Sequence, residues 1–537
     1  MLMIKTILMI CLVILISTTF LDKISNKFGV PILLAFIFLG MIFGEDGLVK
    51  IQFADFTLAE DLSTIALIFI MFYGGFGTNW DTAKPVAIKS SIMASAGVIG
   101  TCLVVGFFCH YALHMDMLEG MLLGAVVSST DAASVFSILR SKDLSLKYNT
   151  DSLLEMESGS NDPFAYLMTV TVLSIMKGEG TFESIVKLLF VQIVVALIFS
   201  VLISFFAGKF INRFTFEEAG FQSVFVIAIA LLSYALPSAL GGNGFLCSYI
   251  VGIALGNALK INKKSLVHTF DGLTGLMQIL IFFLLGLLST PVSILKVAPL
   301  GLIITVFMVF VARPLVTYVL LRPFKAPMNQ ILLVSWAGLR GAASIVFAMI
   351  AVVSLDSHGL DMDLFHIVFC LVIISILLQG TTLGFVSKKL NMIDPEGDVL
   401  KTFNDYSDEM DMDYISVNAD EQSKWVGKKI MDIGLPKQLL LVLIERDGNP
   451  IIPKGETVIE AGDKIVLSAS RFSSSNGICL REVPITKNHK WAGNPISDIE
   501  FPHDFLIIII KRKEGNIVPN GNTIVKDGDI LIFNMLK

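Results

Sequence analysis

Long apolar stretches separated by short polar ones fill the chain up to about Leu390, and short apolar runs broken by turn residues fill the rest. Crossing a bilayer as a helix takes about 20 apolar residues. Thirteen stretches meet or approach that length, at 3–21, 30–44, 62–79, 86–113, 117–139, 152–176, 184–208, 220–240, 243–259, 267–288, 292–320, 329–354 and 363–387. The first has only Lys5 ahead of it and Asp22-Lys23 after it, with no clear small-residue cleavage site. It reads as a retained helix rather than a signal peptide. The pattern predicts an all-α polytopic membrane domain over 1–390, an acidic linker over 391–420 and a small α+β cytoplasmic domain beyond it.

Charge follows the same division. Residues 1–390 hold 23 Lys/Arg and 23 Asp/Glu, whereas 391–537 hold 17 and 23, so the net charge of −6 lies in the tail. With 54% hydrophobic and 16% charged residues, against about 45–50% and 25% in soluble domains, the composition excludes a soluble enzyme, a disordered chain and a nucleic-acid binder. Alternate loops differ in sign. Fifteen Lys/Arg, from Lys23 and Lys27 to Lys388 and Lys389, fall in one set and only Lys50, Lys177, Lys187 and Lys296 in the other. By the positive-inside rule the N-terminus lies outside and the tail is cytoplasmic. Six cysteines and seven histidines are scattered without metal-ligand spacing.

The tail repeats itself. At an offset of 66 residues Trp425 meets Trp491, Gly427 meets Gly493, Asp432-Ile433 meets Asp498-Ile499 and Arg446 meets Arg512. Pro453, Gly455 and Thr457 meet Pro519, Gly521 and Thr523, and Gly462-Asp463 meets Gly528-Asp529. Each unit has an apolar strand run, Leu439–Ile444 or Phe505–Ile510, then two turn signals and another strand. This is a small lobe present twice, over 421–475 and 487–537.

Charges at bilayer depth are costly, so those that remain are functional candidates. They are Lys89, Asp131, Glu155, Glu157, Asp162, Asp271, Arg313 and Arg340. Lys89 and Asp271 sit near span ends and read as structural, and Glu155 is close enough to a span start to reach the interface. Ser128-Ser129-Thr130-Asp131 interrupts the fifth span, and Ala337-Gly338-Leu339-Arg340-Gly341 interrupts the twelfth. Seven spans apart, the two breaks run in opposite directions, as paired broken helices at a transporter's binding site do. The sixth span carries Glu157-Ser158-Gly159-Ser160-Asn161-Asp162-Pro163. Low dielectric disfavours a charged carboxylate, and either a proton or a dehydrated alkali cation neutralises it. Proton and cation therefore compete for Asp162. The alternative for these acids is a structural acid–arginine pair, and Glu157 reads that way.

Thr130-Asp131, the Glu-x-x-x-Asn-Asp of residues 157–162 and Gly338-Leu339-Arg340-Gly341 resemble the cation–proton antiporter superfamily, and most closely its NhaP-type sodium/proton exchanger branch. The resemblance covers about 1–390. It implies thirteen helices, a homodimer, a six-helix core moving against a dimerisation domain, and crossed broken helices. It makes Asp162 the proton and cation site, Ser158 and the Thr130 carbonyl further ligands of the monovalent cation, and Asn161 and Asp131 supports of the crossover. Glu157 is then bridged by Arg313 or Arg340. Many relatives carry an acid where this chain has Tyr73, before Gly74-Gly75, which weakens a sodium preference.

The tail resembles the C-terminal lobe of regulator-of-K⁺-conductance domains, in two copies. The Ile452-Pro453-x-Gly455 and Gly462-Asp463 turns carry that likeness. It implies a regulatory nucleotide such as cyclic di-AMP, or a constitutive assembly module. No G-x-G-x-x-G follows a strand there, and no other cofactor is expected. The expected protein is a transporter rather than an enzyme: an electroneutral monovalent cation/proton antiporter of a bacterial inner membrane, serving pH homeostasis. K⁺ stands ahead of Na⁺. The alternatives are a Na⁺/H⁺ antiporter and a gated K⁺ channel, for which no TVGYG-like filter is present.

Overall fold

The computed structural model describes residues 32–53, 55–131, 134–135, 138–139, 144–214, 219–258, 263–355, 360–394, 412–421, 423–436, 439–446, 448–470, 480–487, 489–499, 505–512, 515–517 and 519–535. Two compact units divide the chain, Met1–Tyr406 and Ser407–Lys537.

The first unit is helical. Its main helices are α1 Ile32–Phe43, α2 Phe56–Gly77, α3 Ala87–Leu113, α4 Met117–Val126, α5 Thr150–Met176, α6 Phe182–Arg213, α7 Ala219–Ala239, α8 Gly244–Ala258 and α9 Lys263–Leu288. Next come α10 Pro291–Phe307, a π-helical turn Met308–Ala312 and α11 Arg313–Leu321. Then α12 Met328–Trp336 and α13 Ala342–Ser354 flank a break, and α14 Leu364–Ser375 passes through a second π turn, Ile376–Gly380, into α15 Thr381–Lys389. Among the described residues seven helical stretches are long and apolar enough to cross a membrane, so the count of thirteen spans is not reached on that measure. The difference has physical causes. α4, α8 and α13 are short apolar helices, two of them because they end at breaks, and α5 carries Asp151, Glu155, Glu157 and Asp162. The stretch 3–21 lies outside the described residues.

The largest apolar cluster joins Leu34 and Ile37 of α1, Leu67 of α2, Leu122 and Leu123 of α4, Phe282 of α9 and Phe347 of α13. Ala165, Val172 and Leu173 in the second half of α5 belong to it. Small residues set the closest approaches. A Cβ at Gly75 would lie 2.2 Å from the Tyr249 carbonyl, and one at Gly252 would lie 2.3 Å from the Phe72 carbonyl, so α2 and α8 touch backbone to backbone.

The second unit contains two four-stranded antiparallel sheets of the same topology. The first has β1 Met412–Asn418, β2 Leu439–Arg446, β3 Asn449–Ile451 and β4 Lys464–Ser470, in the order β1-β4-β2-β3. The second has β5 Leu480–Pro484, β6 Phe505–Arg512, β7 Gly515–Ile517 and β8 Ile530–Met535, in the order β5-β8-β6-β7. Even the irregularities repeat, with register shifts at Leu441/Leu443 and at Ile507/Ile509. The first strand of each sheet starts ahead of the lobe boundaries read from the sequence. β1 lies in the stretch read as acidic linker, because an edge strand tolerates the polar residues that made it look like a connector.

Each sheet has a partly exposed arginine paired with a buried aspartate. Arg446 Nε donates to Asp463 Oδ1 at 2.7 Å and Arg446 Nη2 donates to Oδ2 at 2.8 Å; Arg512 repeats this on Asp529 at 2.8 and 2.7 Å. Those arginine hydrogen bonds hold both carboxyls below the ordinary value of 3.8, against the opposing effect of burial. A carboxyl held low contributes stability above its unfolded value and loses it as pH falls through its folded value. Each lobe is therefore expected to loosen below about pH 4. Arg446→Met should cost the first lobe about 1.5–3 kcal/mol and leave the second unchanged, with Arg512→Met doing the reverse. Hydrogen exchange of lobe amides in the full-length protein, scanned against pH, checks both.

Candidate ion-exchange site

The site forms where two helix breaks meet. α4 ends at Val126, Ser128 Oγ donates to the Ala125 carbonyl at 2.6 Å, and helix resumes at Ser134–Val135. On the other chain segment α12 ends at Trp336 and α13 starts at Ala342. The breaks cross. Asp131 N–H donates to the Leu339 carbonyl at 2.8 Å, and Arg340 Nη1 donates to the Ser129 carbonyl at 2.7 Å. Interrupted helices leave backbone groups unpaired, and at membrane depth those groups must find partners inside the protein. Here each break supplies the other's. Close neighbours explain both glycines of the second break, the crossing segment for Gly341 and Arg313 of α11 for Gly338. A Cβ at Gly341 would sit 2.5 Å from Asp131 Cβ, and one at Gly338 would sit 2.8 Å from Arg313 Nε.

Asp131 holds the first break from below, its Oδ2 accepting from Ser134 Oγ at 2.5 Å and its Oδ1 from Ser134 N–H at 3.3 Å. The second break hangs on the π turn of the last span. Arg340 N–H donates to Ser375 Oγ at 3.1 Å, Ser375 Oγ donates to Gln379 Oε1 at 2.6 Å, and Gln379 Nε2 donates to the Trp336 carbonyl at 2.8 Å. Such turns insert one residue into a helix and redirect a side chain.

α5 lies across the first break. Asn161 Nδ2 donates to Thr130 Oγ1 at 2.5 Å, and Thr130 N–H donates to Asn161 Oδ1 at 3.3 Å. Ser158 Oγ donates to the Thr130 carbonyl and accepts from Thr130 Oγ1 at 3.2 Å. Ser129 Oγ donates to Asp162 Oδ1. Pro163 has no N–H to offer the Gly159 carbonyl one turn back, and its own oxygen accepts from Asn243 Nδ2 at 2.9 Å. Asp162 is 6% exposed, and what it sees is a cavity of about 40 Å³ lined by Ser129, Thr130, Asp131, Gln278, Phe282 and Ala342, among others. One water needs roughly 10–15 Å³.

Glu157 is turned away from this cavity. Its Oε1 accepts from Arg313 Nη2 at 2.5 Å, with both side chains almost fully buried. The sequence left Arg313 and Arg340 open as its partner. Arg313 takes it, and Arg340 goes to the Ser129 carbonyl. Among the described residues Glu157 Oε2 and Arg340 Nε and Nη2 have no hydrogen-bond partner.

Thus Thr130, Asp131, Ser158, Asn161 and Asp162 share one cluster, Arg340 ties it to the second break, and the Glu157–Arg313 pair stands beside it. Sequence reasoning named no role for Ser129, although it stood in the polar run. It also passed over Ser375, Gln379 and Gln278, whose only signal was a polar side chain inside an apolar span. No group of three His, Cys, Asp or Glu able to hold a metal occurs among the described residues. The donors around Asp162 are hard oxygens, which suit alkali cations.

Two interrupted helices crossed beside a buried carboxylate define a secondary transporter. The transmembrane sodium/hydrogen exchanger model matches residues 11–389, and the TrkA-C domain model matches 414–471 and 480–534. The K(+)/H(+) antiporter NhaP of Alkalimonas amylolytica is 32% identical over 470 residues, covering 86% of this chain and 80% of that one. The K(+)/H(+) antiporter NhaP2 of Shewanella oneidensis is 32% identical over 451 residues, covering 82% and 77%. In fold, the sodium proton antiporter MjNhaP1 from Methanocaldococcus jannaschii at pH 8 aligns with a TM-score of 0.63 at 24% identity, over 73% of this chain and 99% of that one. The chain belongs to the sodium/hydrogen exchanger family, a family of multi-pass membrane cation/proton antiporters, and its tail carries two TrkA-C domains.

Proposed function

We propose that this chain exchanges one monovalent cation for one proton by alternating access, with Asp162 as the group both ions share and K⁺ as the preferred cation. The observation that carries the reading is the charge balance at the crossing. Arg313 pairs with Glu157, and Arg340, whose Nη1 donates to the Ser129 carbonyl in the first break, is a single positive charge set against the two aspartates, Asp131 and Asp162. One negative charge is left over; the Asp131 carboxylate is tied to Ser134 in the first break, and Asp162 on the cavity wall is the group that takes up the proton or the cation. Loaded with either a proton or one monovalent cation the cluster is neutral; empty, it carries one negative charge. An empty site is then too costly to carry across the low-dielectric barrier, which enforces one-for-one, electroneutral exchange. Ser129, Ser158 and the Thr130 carbonyl supply the remaining oxygens for a dehydrated cation, while Asn161 and Asp131 hold the break in shape.

The relatives named K(+)/H(+) antiporters support potassium, as does Tyr73 in place of an acid. The protein is expected to sit in a bacterial inner membrane as a homodimer, N-terminus outside and tail inside, as the loop charges direct. In sealed proteoliposomes K⁺ and Rb⁺ should collapse an imposed ΔpH saturably and without current, and at least as well as Na⁺. A cation-driven current overturns the electroneutral reading, and a sodium-only profile overturns the ion preference.

The tail tunes this exchange and does not perform it, since the site is complete without it. A nucleotide such as cyclic di-AMP is the ligand its TrkA-C domains are expected to take. Its route to the core begins where the chain leaves α15. Leu146 and Ile393 form an antiparallel bridge, Lys147 N–H donates to the Met392 carbonyl at 2.8 Å, and Asp394 N–H donates to the Ser145 carbonyl at 2.9 Å. That loop leads directly into α5, and Gln330 of α12 donates to Thr150 Oγ1 at 3.1 Å beside it. A pull on the linker therefore reaches both the helix bearing Asp162 and the first half of the second broken span. A ligand can shift the two transporter states only by its differential affinity, about 1–3 kcal/mol. Truncation after Asp394 should change maximal rate or pH set point about 5–150-fold with unchanged K⁺/Na⁺ ratio. A correctly inserted truncation without any exchange overturns this division of labour.

A further inference from the structure

We propose that Asp271, held by Tyr73, is a second cation-binding carboxylate, a capture site for the transported monovalent cation on the Lys263–Lys264 side of the central cavity. The proposal rests on the antiport reading above and adds a station to its ion path.

Asp271 lies in the third turn of α9, about 12 Å along the helix from Lys263. An ionised side chain at such depth needs a partner or water. Asp271 is exposed, and the hydroxyl of Tyr73, from α2, donates to its Oδ1 at 3.3 Å. Tyr73 itself is 9% exposed and stacks on Phe270 with ring centroids 6.4 Å apart, so the phenol is aimed at Asp271 by packing.

The face that bears Asp271 runs into the cavity. Residues 271, 274, 278 and 282 follow one another at the three- and four-residue spacing of one helix face. Gln278 and Phe282 of that face line the cavity that holds Asp162. From Asp271 to Gln278 is about 10 Å along the helix. The stripe also has room beside it. A Cβ at Gly275, on the same face, or at Gly74, next to Tyr73, would meet no atom within 4 Å. Elsewhere in α2 the adjacent Gly75 is pressed against backbone, so open space at Gly74 is particular to this side. The Thr274 hydroxyl donates to the Phe270 carbonyl at 2.8 Å and to the Asp271 carbonyl at 3.1 Å, which leaves the carboxylate and the phenol oxygen as ligands. Hard oxygens with one negative charge, beside open space, suit a partly hydrated monovalent cation. At about 10 Å from the cavity, with an effective dielectric constant of about 20–40, that charge raises local cation occupancy about 4- to 15-fold.

The test uses the full-length protein in oriented proteoliposomes with K⁺ as the probe, titrated separately from each face. Asp271→Asn should raise the half-saturating K⁺ concentration about 4- to 15-fold from the Lys263–Lys264 face, leave it unchanged from the other face, and keep maximal rate within about twofold. Tyr73→Phe keeps the charge but frees it, and should move the same parameter in the same direction by less. Asp271→Glu should stay near wild type. Unchanged half-saturation from both faces overturns the proposal, as does a fall in maximal rate alone, which is what a purely structural residue would give. Should Asp271→Asn fail to insert, Tyr73→Phe with unaltered half-saturation overturns it just as well. Wild-type vesicles with no cation-driven ΔpH overturn the antiport reading and this station with it, whereas normal wild-type exchange with unresponsive variants overturns this station alone.

Discussion

Asp162→Asn should reduce exchange to the background of empty vesicles while the protein stays folded. The amide has the shape of the carboxylate and its Oδ1 still accepts from Ser129 Oγ, so the hydrogen bond that fixes the side chain survives. Its charge does not. With Asn at 162 the cluster is neutral without any ion bound, so no proton or cation is needed for the core to move and none is carried. Removing an uncompensated buried carboxylate also removes a desolvation cost, so thermal stability should be unchanged or higher. Asp162→Glu keeps the charge but adds a methylene where Ser129, Thr130 and the cavity wall already close in, and should retain weak exchange with altered apparent cation affinity. The measurement is cation-dependent ΔpH collapse alongside a melting curve. Substantial proton-coupled transport by a well-folded Asn variant would show that another group carries the exchanged charge.

Much of this arrangement was legible one segment at a time. Ser128-Ser129-Thr130-Asp131 and Gly338-Leu339-Arg340-Gly341 mark the two breaks because small and polar residues are out of place in apolar helices. That the two breaks cross was expected from their pairing and from the family resemblance. The individual bonds between them, Asp131 N–H to the Leu339 carbonyl and Arg340 to the Ser129 carbonyl, were not legible, because spacing along the chain does not fix which groups meet. The partner of Glu157 stayed open for a sharper reason. Helical periodicity assigns a face within one helix, and Arg313 follows the π turn Met308–Ala312, whose extra residue rotates everything after it by about 100°. Gln379 sits inside the other π turn and escaped notice for the same reason. Membrane spans were easiest to find where helices are long and uninterrupted, and hardest to count where function shortens them or loads them with acid, as in α4, α13 and α5. In the tail the 66-residue repeat predicted matching elements, and the two sheets match down to the shifted register. The edge strands were missed: the leading ones because acidic residues such as Asp413 resemble a solvated connector, and β3 and β7 because three residues are too few to show an alternating pattern.

Glu157→Gln should be the most damaging single change for folding, and its rescue separates structure from transport. The Arg313–Glu157 pair is buried on both sides, with side-chain exposures of 4% and 1%. Breaking such a pair from one side leaves an uncompensated charge and costs about 3–5 kcal/mol, a large share of the 5–15 kcal/mol that stabilises a typical protein. Arg340, with two unpartnered donors nearby, adds repulsion instead of relief. Loss of expression or of the folded fraction is therefore expected from Glu157→Gln alone. Replacing both partners, Glu157→Gln with Arg313→Met, removes the stranded charge, and exchanging a buried pair for neutral groups of similar volume is close to neutral in stability. The double variant also restores the balance at the crossing: one arginine and two aspartates leave one negative charge when empty and none when loaded. It should recover both folding and electroneutral exchange, while each single variant recovers neither. Folded yield by size-exclusion chromatography and ΔpH collapse in vesicles read the two effects separately. A single Glu157→Gln variant that is stable but inactive, with no rescue by Arg313→Met, would place Glu157 among the groups that handle the ion and would break the pairing of charges on which one-for-one exchange is argued.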